Sequence, residues 1–196
     1  MRKLNSYWLE RLHVVGRAQA RYLWILLVTM LFYLALKPRV DLSSTDTPLN
    51  VPIINLELSG STVLSFGPLV MSFLVLAILG TLRAFGHTRR QLGLKTSGDW
   101  SGEELDTSPN AIDFTLYTTS KSPKIVSTAA HFAYPAFLSA ALVEAAWIER
   151  YLVGSRPEGW CAFAVTGALL WLPAVWLVAN VIYQRICQVP GLWKVR

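Results

Sequence analysis

Residues 62–82 read TVLSFGPLVMSFLVLAILGTL, twenty-one positions without a single charge. At about 1.5 Å of helix rise per residue such a run matches a hydrocarbon core of about 30 Å. An uncharged stretch of this length has no use in a small soluble core, so it predicts a transmembrane helix. Three further blocks share its character. Residues 22–36 (YLWILLVTMLFYLAL) are short for a span, but Arg21 and Lys37 bound them and their aliphatic stems can snorkel. Residues 128–148 and 159–183 complete a set of four, each with an internal proline, Pro135 and Pro173, which transmembrane helices tolerate. In the second block Pro68 is expected to start the well-formed part of the helix or to kink it. The fold class expected is an all-α membrane protein, a four-helix bundle with short extended segments in its loops.

Composition agrees. Of 196 residues 53% are hydrophobic and 15% charged, against about 25% charged in an ordinary soluble domain. Disordered tails, collagen-like fibres and disulfide-stapled miniproteins are excluded by the same figures. A basic leader before a short apolar core is also the shape of a signal peptide. Leu34-Ala35-Leu36-Lys37-Pro38 offers no small-x-small cleavage site, so residues 22–36 read as a retained helix.

Orientation follows from the basic residues. With four spans, residues 1–21, 84–127 and 185–196, together with the flanking Arg83, share one side and hold fourteen of the eighteen Lys and Arg. The other side holds Lys37, Arg39, Arg150 and Arg156. The positive-inside rule then places both termini in the cytoplasm of an inner membrane. The net charge of +6 is explained by topology. The charges are spread along membrane flanks rather than gathered on one module, so no nucleic-acid partner is expected.

Between the spans the sequence is more varied. In residues 4–20 the apolar Leu4, Trp8, Leu12 and Val15 recur at helical steps, with Arg11 and Arg17 elsewhere on the wheel. This predicts an amphipathic lead-in over residues 1–21, either lying at the lipid interface or solvated ahead of the first span. In the outer loop 38–61, Val51 to Leu58 read as extended, with Ile54, Leu56 and Leu58 on one face of an edge strand. The cytoplasmic loop 84–127 is too short for a domain with its own core. Its acidic middle carries Trp100, Glu103 and Glu104, a candidate docking surface for a cytosolic protein; the plainer reading packs Trp100 on its own loop. Ile112, Phe114 and Leu116 alternate like a half-buried strand.

The search for chemistry is mostly negative. His13, His87 and His131 are far apart, and Cys161 and Cys187 fall at opposite ends of the fourth block, so neither a metal site nor an internal disulfide is expected. Phosphate-cradling glycine loops and a nucleophile elbow are absent from the sequence, and the spans contain no aspartate. No cofactor and no enzymatic activity are expected. Three intramembrane polar residues stand out: Glu144, His131 and Asn180. An ionisable residue in a span defaults to a functional hypothesis, although Glu144 near the outer interface can also reach water or pair with Arg150 or Lys37. His131 titrates near neutral pH in the functional reading and is a plain interfacial histidine in the other. Asn180 suits an interhelical hydrogen bond. Ala136/Ala140 and Ala141/Ala145 are four apart, the spacing that lets helices approach closely, either within the bundle or between subunits.

The order of parts resembles the four-helix membrane modules of bacterial pentapeptide-repeat proteins. The shared features are Asp46-x-Pro48, Pro52-Ile53-Ile54, Gly67-Pro68-Leu69, Trp147-Ile148, Arg150-Tyr151-Leu152 and Gly159-Trp160, over residues 22–180. The chain departs from them in having no run of pentapeptide repeats, and the resemblance implies fold and topology only. In size and layout it is also similar to the membrane subunit of the Kiwa anti-phage system, a four-helix oligomer working with a cytosolic partner. The combined expectation is a non-enzymatic, homo-oligomeric inner-membrane component that senses envelope disturbance or anchors a cytosolic effector, with a small ion channel or solute transporter as the alternative.

Overall fold

A computed structural model describes residues 2–36, 48–51, 56–95, 124–155 and 160–188. The elements are α1 (Arg2–Leu36), β1 (Pro48–Val51), β2 (Leu56–Ser59), α2 (Gly60–Lys95), α3 (Lys124–Ser155) and α4 (Trp160–Gln188). Three of the four helices contain segments long and apolar enough to cross a membrane: Glu10–Leu36, Thr62–Thr88 and Ala164–Gln184. The protein is thus helical and of membrane type.

Several expected boundaries shift. The amphipathic lead-in is not a separate element. α1 is continuous for 35 residues, since nothing between Arg2 and Leu36 breaks a helix beyond the single Gly16. Pro68 neither starts nor ends α2, which begins eight residues earlier at Gly60. A proline removes one ladder bond, and close neighbours hold the helix together across it. α2 also runs on to Lys95, so the first twelve residues assigned to the loop 84–127 are helical; residues 96–123, with Trp100, Glu103, Glu104 and the alternating 112–116 segment, lie outside the described residues. α3 opens directly after Pro123, where a proline favours a helix start.

In the connection between α1 and α2 the single edge strand expected over residues 51–58 is instead two short strands. β1 and β2 pair antiparallel, with Leu49 opposite Leu58 and Val51 opposite Leu56. The apolar positions of the two strands alternate in phase, as do the polar Asn50 and Glu57. Pro52 lacks the N–H that a continuing ladder needs, which limits β1 to Pro48–Val51. β2 passes straight into α2.

The chain divides into two compact units. The first comprises residues 1–24, 77–137 and 179–196; the second comprises 25–76 and 138–178. In the first unit Leu12 and Phe85 are buried together, with Val15 packed against them. This fixes the apolar face of the lead-in onto α2, while Arg11, His13 and Arg17 stay exposed. Gln19 and Thr88 are also buried there. The Thr88 hydroxyl donates to the Ala84 carbonyl at 2.8 Å, an economical way to bury a hydroxyl inside a helix.

The second unit holds the larger core: Tyr33, Leu36, Val63, Leu64, Met71, Ala145, Ile148 and Leu152, with Met30, Phe32 and Trp171 against it. Tyr33 hydroxyl donates to the Val63 carbonyl at 3.1 Å, tying α1 to α2. Gly67 makes room for its ring: a Cβ there would stand 3.0 Å from Tyr33 Cε1 and 3.3 Å from Ile148 Cδ1. Phe32 meets the Tyr33 ring edge to face, with centroids 5.3 Å apart.

The other faces of the helices are apolar too. Trp24, Val28 and Leu31 on α1 and Val165, Leu169, Leu172 and Trp176 on α4 are all more than half exposed. Only 22% of the apolar window of α1 and 17% of that of α4 are buried, against 61% for α2. Exposed sweeps of Trp, Leu and Val of this extent require a non-aqueous surrounding.

Candidate functional site

Within the second unit α2, α3 and α4 enclose an open groove of about 490 Å³. Its walls come from Pro68 on α2, Ala145 and Glu149 on α3, and Ala164, Gly167 and Trp171 on α4. The local sequence explains the opening. On α3 Ala145, Ala146, Glu149 and Val153 fall on one helical face, and on α4 Ala164, Gly167, Ala168 and Trp171 do the same. Small side chains on both faces leave a trough where bulkier ones would interdigitate.

One hydrogen bond sets the level of the two helices. The Trp171 indole N–H donates to the Leu142 carbonyl at 3.0 Å. The helices are joined by only residues 156–159 and so run antiparallel. Seven residues along from that bond in each helix, Glu149 comes level with Ala164. At the floor, Gly167 lies against Pro68, where an added Cβ would meet Pro68 Cβ at 3.7 Å. The groove therefore has an apolar floor at Pro68, Ala145 and Trp171, and a half-buried carboxylate nearer the end where α3 and α4 join.

The residues singled out by sequence do not converge on it. Glu144 lies on α3 in the second unit, half-buried and with Oε1 shut off from solvent. It is five residues before Glu149, about 140° around the helix, and is not part of the groove wall. His131 and Asn180 belong to the first unit; Asn180 is half-buried, and the side chain of His131 lies outside the described residues. Ala141 and Ala145 are fully buried in the second unit, whereas Ala136 and Ala140 are exposed. Among the described residues, no three His, Cys, Asp or Glu side chains gather as metal ligands.

Glu149 is the functional candidate that the sequence reading passed over, because it was counted with the outer loop. The signal was present: a carboxylate four residues after Ala145 and three after Ala146, on a face otherwise small and apolar. Compared with known proteins, the chain matches no family profile, no curated protein and no solved structure.

Proposed function

We propose that the protein is a four-span inner-membrane protein with both termini cytoplasmic, acting without catalysis as a homo-oligomeric component that senses envelope disturbance or anchors and regulates a cytosolic effector. The observation that carries this reading is the apolar outward surface of α1 and α4, too extensive for water. Added to it are the exposed small pair Ala136 and Ala140, suited to close approach of a helix from another copy, and the concentration of Lys and Arg on the termini and the α2–α3 connection. The cytosolic partner is assigned to the part of residues 84–127 that follows the apolar segment of α2 ending at Thr88, and the resemblance in layout to the Kiwa membrane subunit supports a place in anti-phage defence.

The test is the assembly state and company of the full chain, extracted in mild detergent or lipid discs. Mass photometry is expected to show a dimer or larger species, with Ala136→Cys forming cross-links between copies, and a soluble protein is expected to co-purify. Monomers that carry nothing with them overturn the reading.

The half-buried carboxylate of Glu144 supports a second reading, a small channel or carrier. It predicts that vesicles containing the protein conduct and that Glu144→Gln changes the flux while assembly stays intact. Vesicles without flux dismiss it.

A further inference from the structure

We infer that the groove of the second unit binds an aminophospholipid, one acyl chain lying along its apolar floor and the primary ammonium of the headgroup meeting Glu149. Depth is the first reason. Glu149 is the residue next after the apolar block 128–148 of α3, toward the end where α3 and α4 join, so in a membrane it stands near the boundary between hydrocarbon and water. Trp171, Ala145 and Pro68 lie further in, beside hydrocarbon. The groove thus has the polarity profile of a lipid, apolar below and charged above.

Size and shape are the second. About 490 Å³ falls among binding sites for small organic molecules, roughly 300–1,000 Å³. An empty trough of this kind forfeits the dispersion contacts of its walls, and a flexible chain restores them. A chain entering from the bilayer, however, leaves surroundings as apolar as those it gains, so the trough alone does not choose between lipids. Selection has to come from the headgroup end.

Charge supplies it. Glu149 is the ionisable residue of the groove wall. A carboxylate has about four lone-pair sites, enough to accept from a headgroup beside any contact within the chain. A primary ammonium offers positive charge and three N–H donors together; a trimethylammonium offers charge without donors; a glycerol headgroup offers hydroxyl donors without positive charge. Exposed Arg150, next in sequence, carries the opposite charge for the phosphate that accompanies the ammonium. The expected order places phosphatidylethanolamine ahead of both phosphatidylcholine and phosphatidylglycerol. This inference stands apart from the proposed function, because a monomer with no partner would still carry the groove.

The experiment is native mass spectrometry of the full chain in detergent, given equal amounts of the three lipids with identical chains. The ethanolamine lipid is expected to be retained about tenfold over the glycerol lipid, the margin of one charge-assisted hydrogen bond. Glu149→Gln should bring the two near parity, and Ala168→Phe, which fills the trough, should lower retention of all three. A wild-type protein without headgroup preference, or a preference unchanged by Glu149→Gln, overturns the proposal. Phosphatidylethanolamine with a photoreactive acyl chain gives a readout that needs no variant. Labelling within residues 145–153 and 164–171 supports the site. Labelling elsewhere, or an Ala168→Cys protein that cross-links copy to copy while excluding lipid, assigns the groove to another occupant.

Discussion

Gly67 is where one added methyl group matters most. Its missing side chain is replaced by the Tyr33 ring, which the hydroxyl bond to Val63 holds in place, and by Ile148. Neither neighbour can swing clear. Gly67→Val is expected to lower stability by about 1–3 kcal/mol through overpacking. Gly80, in the same helix, has nothing within 4 Å of an added Cβ. There Gly80→Ala should gain roughly 0.5–1 kcal/mol from reduced backbone freedom. Thermal unfolding in detergent distinguishes the pair by opposite shifts. Gln19 presents the reverse case. It is fully buried, and among the described residues neither its Oε1 nor its Nε2 has a hydrogen-bond partner. Leucine fills nearly the same volume without two stranded polar atoms, so Gln19→Leu should raise stability by about 1–3 kcal/mol. A fall in melting temperature would show that the amide has a partner beyond the described residues.

Among the helices α1 is the most informative, because its burial pattern runs almost its whole length. Leu12, Gln19, Leu26 and Tyr33 recur every seven residues and all are buried, while Trp24, Val28 and Leu31 look outward. The period is that of a helix keeping one seam against its neighbours. The lead-in pattern of Leu12 and Val15 was visible in the sequence, but its continuity with the apolar block was hidden by the change from polar to apolar outer face at Arg21. That change concerns the surroundings of the helix rather than its backbone, and so it marks no boundary. The outward apolar face makes a prediction: Val28→Asp should disrupt membrane insertion, since a central charge costs about 2.5–3.5 kcal/mol on translocon scales. Arg17→Ala, at an exposed polar position, should insert normally. Carbonate extraction of membranes expressing each variant provides the comparison; retention of Val28→Asp in the pellet would show that this face meets protein or water.

For the molecule as a whole, topology is testable with its own cysteines. Cys161 is a free, exposed thiol near the start of α4, and Cys187 lies near its end. With both termini cytoplasmic, a membrane-impermeant maleimide should label Cys161 in whole cells, and Cys187 only after permeabilisation, each read in the protein lacking the other. The opposite result inverts the orientation and removes the cytosolic docking surface. Helical membrane character was legible because lipid solubility is summed over local stretches: residues 62–82 declare it without reference to any other part of the chain. Charge distribution is similarly additive. The groove, by contrast, exists only where Ala145 and Glu149 of α3 come level with Ala164 and Gly167 of α4, a match fixed by the Trp171 bond to Leu142. The same holds for the division of the alanine pairs, with Ala141 and Ala145 turned inward and Ala136 and Ala140 outward. Spacing along one helix says that small residues share a face. Which neighbour that face meets depends on packing between segments distant in sequence, and that is a property of the folded chain alone.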